Sequence, residues 1–360
     1  MCLHQFLLLI DTLDLKNETD KEGINKVNPL ISIIIPVYNG ATTLEACLYS
    51  TIHAMDRDCE LIVVDDGSTD GSAEIAQRFP CRLIQLRHNW GAAYTRNLGA
   101  YKSFGKILFF TDADCLLDKT ALSLVRQKMQ QADERLVIGG SYTPRPYDDH
   151  FFSRFQSIFV HYSENKHATA PDYIATHAMA IRASTFQQVG GFNEKMGPIL
   201  EDVEFSHRLR QAGMVLQMLP ELQVQHIFNY SLRDSWKNAI RKTRYWIQYS
   251  LKNHDLLVDS GTASIELKTN VISYYLTCLL LLMIAAGMPF VLPVLVLMLA
   301  GNLYISRGLL EAFYIHSSSR LTGLMAMAYY LLVYPLPVGL GVLVALINTL
   351  RQPLSHWKTD

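Results

Sequence analysis

Short apolar runs alternate with amphipathic stretches through the first 270 residues, and the alternation predicts strands separated by helices. Leu30-Ile-Ser-Ile-Ile-Ile35 is a β-branched run closed by Pro36, which reads as a buried strand. A helix follows, with Leu44, Leu48, Thr51 and Ile52 at helical spacing, and then a second strand at Leu61-Ile-Val-Val64. That strand ends in Asp65-Asp-Gly-Ser-Thr-Asp-Gly-Ser72, a loop of acids, glycines and capping residues ahead of a helix over 73–79. Residues 82–86 form a third short strand. Residues 89–100 open a helix that leads to Ile107-Leu-Phe-Phe110. Four apolar residues in a row predict a parallel strand covered on both faces. The order strand, helix, strand, helix, strand predicts an α/β domain with a parallel sheet and right-handed crossovers.

From Val271 onward the pattern changes. Residues 271–286, 291–306 and 321–350 carry no charge, and runs of this length and composition predict membrane-crossing helices. Gly287-Met-Pro289 separates the first two as a hairpin, which puts Arg307 and Arg320 on the cytoplasmic side. Pro335 and Pro337 predict a kink in the third; a single tilted span there would put Arg351 and Lys358 outside, so a re-entrant pair is the alternative to three helical segments. Just before this block, Ser231-Leu-Arg-Asp234 resembles a capping box. The segment after it mixes Lys237, Arg241, Lys242 and Arg244 with Trp236 and Trp246. That composition predicts an amphipathic helix lying in a membrane interface over 231–255. Phe151, Phe152, Phe155, Ile158 and Phe159 also fall at helical spacing, as core packing or as a second contact near the membrane. Residues 1–28 read as a loosely held polar leader. Its apolar patch Phe6–Ile10 is too short to span and lacks the flanks of a signal peptide. The expected organisation is therefore leader 1–28, α/β domain 29–230, interfacial helix 231–255 and membrane helices 271–350.

Composition removes several classes. A formal net charge of -1 gives no basic surface for nucleic acid. Six scattered cysteines without a C-x-x-C pair point to reduced thiols, not to a disulfide framework or a zinc site.

The chemistry concentrates where the fourth strand ends in Thr111-Asp-Ala-Asp114. Ligands of open α/β sheets bind beyond the carboxyl ends of the strands. Two carboxylates there, Asp112 and Asp114, can share a divalent cation with substrate phosphates. A strand followed by two solvated acids is the plainer reading. The chain has no G-x-x-x-x-G-K-[ST] and no G-x-G-x-x-G after its first strand, so no glycine loop is available to cradle a diphosphate. Glu201-Asp202 precedes the apolar stripe Val203, Phe205 and Leu209, which places two acids at a helix N-terminus. There the dipole favours the ionised form, and acids there are also ordinary capping residues.

Taken together, Ile31-Ser-Ile-Ile-Ile-Pro-Val-Tyr-Asn39, Val63-Val-Asp-Asp-Gly-Ser-Thr-Asp70, Thr95-Arg-Asn-Leu-Gly99, Phe110-Thr-Asp-Ala-Asp114, Gly190-Gly-Phe-Asn-Glu194 and Glu201–Arg210 resemble the inverting family 2 glycosyltransferases of GT-A fold. The resemblance covers roughly residues 30–230. It implies a nucleotide-sugar-binding domain, α/β and Rossmann-like, followed by an α-helical transmembrane region. It implies that Pro36 and Tyr38 contact base and ribose, and that Asp66, with Asp65 beside it, accepts hydrogen bonds from a uracil-type base. Gly91 and Asn97 would sit by the nucleotide. Asp112 would face ribose and metal, and Asp114 would ligate the metal. His226 would complete the metal shell, against a plainer reading as a strand-end histidine. Asp202 would be the general base, with Glu201 the second choice. The implied cofactor is Mn²⁺ or Mg²⁺. The implied partners are a nucleotide-diphosphate sugar, a UDP-sugar foremost, and a lipid or lipid-linked acceptor. The implied location is the inner (plasma) membrane, multi-pass, with the catalytic domain cytoplasmic.

Processive polymerases of the family carry Q-x-x-R-W after the base. Here Arg241-Lys-Thr-Arg-Tyr-Trp246 keeps an Arg and a Trp but lacks the glutamine and the spacing. A single transfer per acceptor is therefore expected. A processive synthase subunit is the second enzyme reading, and a non-catalytic nucleotide-sugar-binding scaffold is the rival from another class.

Overall fold

The protein is described from a computed structural model covering residues 15–19, 29–196 and 199–351. It divides into two compact units. The first takes Met1–Thr143 and His167–Ile227, the second Pro144–Lys166 and Phe228–Asp360. The second unit thus draws in a segment from inside the 29–230 range expected for the first.

In chain order the elements are β1 (Leu15–Thr19), β2 (Ile31–Val37), α1 (Ala41–Ala54), β3 (Cys59–Asp65), α2 (Ser72–Gln77), β4 (Arg82–Leu86), α3 (Ala92–Tyr101), β5 (Ile107–Phe110), β6 (Cys115–Leu117), α4 (Ala121–Gln131), β7 (Leu136–Tyr142), α5 (Phe151–Asn165), β8 (Met179–Arg182), α6 (Ala183–Val189), α7 (Glu201–Gln211) and β9 (Val215–His226). All nine strands form one mixed sheet in the first unit, ordered β1-β4-β3-β2-β5-β8-β7-β9-β6. The β4-β3-β2-β5 centre is parallel, as the apolar runs predict. The antiparallel pairs β5–β8, β7–β8 and β6–β9 lie beyond it. The leader expectation needs one correction: Leu15–Thr19 pairs antiparallel with β4 at the sheet edge. The apolar patch 6–10 lies outside the described residues.

The chain leaves β2 toward β3 and leaves β5 toward the opposite edge. The switch point therefore falls between the carboxyl ends of β2 and β5, where such sheets take their ligands. Behind β5 an aromatic cluster fills the core. Phe110 packs on Phe186 at 5.4 Å and on Phe192 at 5.2 Å between ring centroids, and Phe205 closes the group. Phe110 is wholly buried, so truncation to Ala costs about 3–5 kcal/mol.

The second unit is helical: α5, then α8 (Leu232–Asn253), α9 (Ile265–Ala285), α10 (Leu292–His316), α11 (Arg320–Ala328) and α12 (Pro335–Arg351). The capping box is present: Ser231 Oγ accepts from Asp234 N, and Asp234 Oδ2 accepts from Ser231 N. The aromatic stripe of α5 is core packing, with Phe155 stacked on Phe313 at 4.9 Å. Lys166 ties the end of α5 to Asp259 and Glu266, 2.7 Å from each. Among the described residues three stretches are long and apolar enough to cross a membrane: Ile265–Ala285, Pro289–His316 and Arg320–Arg351. The first starts six residues before the 271 boundary. The prolines do not break the third. A π turn over Tyr329–Val333 absorbs them, with Tyr334 N bonded to Tyr329 O at 2.8 Å. Pro335 has no N–H to offer the Tyr330 carbonyl, and Asn270 Nδ2 from α9 supplies the donor at 2.7 Å. Asn302 Nδ2 in turn bonds Asn270 Oδ1 at 3.0 Å. Gly341 lets α12 approach α8 closely, since a Cβ there would lie 2.9 Å from the Ile240 carbonyl.

Candidate active site

The site is assembled around α3. Its N-terminus is set by Gly91, whose φ of +92° and ψ of 162° suit only glycine. Asp66, just past β3, holds that turn: its two carboxylate oxygens accept from Trp90 N at 2.8 Å and Gly91 N at 2.9 Å. From this anchored start α3 runs inward, and every residue from Tyr94 to Ala100 is buried. Arg96 is therefore a buried cation, and its fork joins two distant parts of the chain. Nη2 donates to Asp112 Oδ1 and Nη1 to Glu201 Oε1, each at 2.7 Å. Asp112 stands beyond the end of β5 and Glu201 begins α7, so one guanidinium ties the strand end to the helix start.

Leu200, in the left-handed region at φ 77°, turns the chain into α7. Asp202 follows Glu201 there, and its Oδ1 accepts from Val203 N at 2.8 Å. Burial first, and then repulsion from Glu201, push its carboxyl up to about 7, against the opposing pull of Arg96 and the Val203 N–H. A carboxylate poised near neutrality is the condition a general base needs.

The second half of the site lies where β6 meets β9. Cys115 pairs with His226 across the antiparallel ladder, and Ile227 N donates to Asp114 O at 2.9 Å. His226 Nε2 thereby comes within 3.4 Å of Asp114 Oδ2. Ligand atoms of Asp114, Cys115 and His226 all lie within 4.8 Å of one another. Burial raises the Cys115 thiol well above its ordinary value, with Asp114 adding to the effect. It stays a thiol and offers a hard cation nothing. The usable donors are the Asp114 carboxylate and the His226 imidazole, with Asp112 adjoining. Burial raises the Asp114 carboxyl, His226 lowers it, and repulsion from Asp112 raises it further. Burial works the same way on Asp112, but the Arg96 charge overrides it and leaves that carboxyl below its usual value. Two close carboxylates with one guanidinium between them and Glu201 carry an excess of negative charge. An oxygen-and-nitrogen donor set of that sign fits Mn²⁺ or Mg²⁺.

The remaining expected residues ring the carboxyl ends of β2 and β3. Pro36 pairs with Val64 inside the sheet, and Tyr38 stands 54% exposed just beyond it. Asp65 is buried, its Oδ1 accepting from Ser68 N at 3.0 Å. The loops after β2 and β3 are laced together: Asn39 N donates to Ser68 Oγ, and Thr69 N to Asn39 Oδ1, both at 2.9 Å. Two expectations change in character. Asp66 is buried and its carboxylate holds the Gly91 turn. Asn97 directs both amide donors to the segment after α6, to Phe192 O at 2.9 Å and Glu194 Oε1 at 2.8 Å. Its Oδ1 also accepts from Phe192 N. It positions that segment.

Sequence reading assigned no role to Arg96, Tyr142 or His177. The signal for Arg96 was present, an arginine within an otherwise buried helical stretch. His177 and Tyr142 gave none, because β7, β8 and β9 bring them to this place only in the fold.

Residues 32–189 match the family described as Glycosyl transferase family 2. GlyG, a glycosyltransferase of Streptococcus pneumoniae serotype 4, is 30% identical over 131 residues, 35% of this chain and 44% of GlyG. The cholesterol galactosyltransferase of Borreliella burgdorferi is 28% identical over 116 residues, 31% of this chain and 32% of that protein. The chain thus spans less than half the length of these curated relatives. The structure of the mannosyltransferase PcManGT from Pyrobaculum calidifontis, in complex with GDP-Man and Mn²⁺, superposes with a TM-score of 0.54 at 19% identity. That match covers 90% of this chain and 87% of that one, and it is a likeness of fold. Residues 32–189 are thus similar to family 2 glycosyltransferases and the fold is of GT-A type, with three helices among the described residues apolar enough to cross a membrane.

Proposed function

We propose that the protein is a membrane-bound, metal-dependent, inverting glycosyltransferase that moves one sugar per turnover from a nucleotide-diphosphate sugar to a hydroxyl of a lipid or lipid-linked acceptor. The observation that carries this reading is the Arg96 bridge. It fixes Asp112, at the donor end of the sheet, to Glu201, next in sequence to the near-neutral carboxyl of Asp202. Donor and base are thereby held in one frame, which is what an in-line displacement needs.

Asp202 takes the proton of the acceptor hydroxyl as its oxygen bonds to the anomeric carbon. The bond from that carbon to the diphosphate oxygen breaks, and inversion follows from attack opposite the leaving group. Asp114 and His226, with Asp112 adjoining, would hold the divalent cation, which neutralises charge on the leaving diphosphate when bound. Tyr38 and Trp90, each about half exposed at the carboxyl end of the sheet, are the rings available to the base. PcManGT holds GDP-Man and the expectation for this chain is a UDP-sugar, so both donors belong in the test. The acceptor class is supported by the helices of the second unit and by the Borreliella relative, which acts on cholesterol. Exposed Arg233, Lys237, Arg241 and Lys242 on α8 favour an anionic membrane face, which supports a cytoplasmic location for sugar transfer.

The test is incubation of the full chain in nanodiscs with radiolabelled UDP- and GDP-sugars, membrane lipid and Mn²⁺. Label is expected in the organic phase with Mn²⁺ and is expected to vanish in excess chelator. Full transfer in chelator would remove the metal from the reading. Hydrolysis without transfer to any lipid would remove the lipid acceptor.

A further inference from the structure

Tyr142 ends β7 and is buried, although it stands next to the cation-type site. Its ring lies between two imidazoles. His177 is 4.2 Å away between centroids with planes 31° apart, and His226 is 4.8 Å away, edge-on at 66°. The strand register produces this. Tyr142 pairs with Val224 across the parallel β7–β9 ladder, so His226 is its diagonal neighbour on the same face. Cys115 pairs with His226 from the neighbouring strand β6, and the Tyr142 ring packs against the same imidazole. His177 backs the tyrosine from a buried turn, Thr176–Ala178. Its carbonyl is pinned by the Thr111 hydroxyl at 2.9 Å, one residue before Asp112.

An imidazole binds a cation only through a lone pair in its ring plane, so the torsion of that ring decides the affinity. We propose that Tyr142, backed by His177, is a positioning residue that fixes the His226 ring with Nε2 turned toward Asp114 in the cation site. The inference rests on reading His226 as a metal ligand. It adds that the ligand is preorganised by aromatic packing, with the tyrosine ring itself as the part that matters. A leucine in its place leaves the histidine free to rotate off the cation, at a cost of about 10–100-fold in affinity, the range seen for residues that orient metal-bound histidines. A phenylalanine keeps the ring and should bind within about threefold of wild type.

The experiment titrates Mn²⁺ alone into the detergent-solubilised full chain. Free Mn²⁺ is followed by electron paramagnetic resonance, and the ¹⁴N coupling of the bound ion is recorded by spin-echo modulation. Thermal unfolding in chelator checks that each variant is folded. Tyr142→Leu should bind Mn²⁺ about 10–100-fold more weakly with diminished ¹⁴N coupling, while Tyr142→Phe retains both. Wild-type affinity and coupling in Tyr142→Leu would overturn the proposal. An equal loss in Tyr142→Phe would overturn it too, by moving the role to the hydroxyl. His226→Ala separates the two layers: if it binds Mn²⁺ as the wild type does, His226 is not a ligand and the underlying reading fails first. If Tyr142→Leu does not fold, His177→Ala removes only the backing ring. A measurable loss of affinity there supports the clamp, and none contradicts it.

Discussion

Replacing Arg96 by methionine keeps most of the side-chain volume and removes the fork that joins Asp112 to Glu201. Two carboxylates then lose the cation that α3 brings to them, and Asp202 loses a charge that holds its carboxyl down. Removing one partner of a buried ion pair costs about 3–5 kcal/mol. Most of that falls on Glu201, whose side chain is 9% exposed, because water screens Asp112 at 31%. For a unit of this size about 3–5 kcal/mol corresponds to a fall in melting temperature of roughly 10 °C. Differential scanning fluorimetry of the full chain in detergent reads it directly. Arg96→Met combined with Glu201→Gln should recover part of the loss, since the neutral amide no longer needs the guanidinium. Arg96→Lys keeps the charge but not the two-pronged reach, and should fall between. The Asp202 ionisation should also move to higher pH in Arg96→Met. A melting temperature within about 2 °C of wild type, together with an unmoved pH profile, would refute the idea that this guanidinium organises the site.

Three further outcomes follow from the same geometry. Asp202, raised to about 7 first by burial and then by Glu201, must be ionised to accept a proton, so kcat/KM should drop about tenfold per pH unit below that value. Its folded value lies above the ordinary 3.8, so the protonated form stabilises the fold. That contribution is complete below about 3.8 and is lost as pH rises through about 7. Asp202→Asn should therefore melt higher than wild type at pH 8 and equally at pH 4, by thermal unfolding at the two pH values. Asp114→Ala should abolish Mn²⁺ binding by isothermal calorimetry, whereas Asp112→Ala should weaken it less, since one Asp112 oxygen is already held by Arg96. Asn270→Leu leaves the Tyr330 carbonyl and the Asn302 amide without their partner, and should cost about 1–2 kcal/mol in detergent unfolding with sugar transfer retained.

The parallel centre of the sheet was legible because its strands carry short apolar runs bounded by turn residues, the pattern of strands covered on both faces. The positions of Asp112 and Asp114 past β5 and of Asp202 in the first turn of α7 were legible because an apolar strand run and an apolar helical stripe mark those two ends. The antiparallel half was not. β7 reads Leu-Val-Ile-Gly-Gly-Ser-Tyr, with two glycines in the strand, and β9 crosses Pro220, so neither advertises a strand by pattern. Tyr142 and His177 were invisible for the same reason: their neighbours are set by strand register across long sequence separations. For Asp66 and Asn97 the fold supplies the orientation. Sequence placed them near the site, but which way a polar side chain faces is decided by the nearest unpaired backbone donor, here Gly91 and Phe192. The third apolar stretch carried two prolines that read as a kink, and a π turn with Asn270 accommodates them.

The central claim is that this domain transfers a sugar with Asp202 as the base. The most direct measurement compares single-turnover transfer from a radiolabelled nucleotide sugar to membrane lipid in wild type, Asp202→Asn and Glu201→Gln, with donor binding measured alongside by calorimetry. The account predicts that Asp202→Asn loses about 10²–10⁴-fold in kcat with donor affinity little changed, the contribution expected of a positioned general base, and that Glu201→Gln loses far less. Near-normal rates in Asp202→Asn, or a larger loss in Glu201→Gln than in Asp202→Asn, would contradict it.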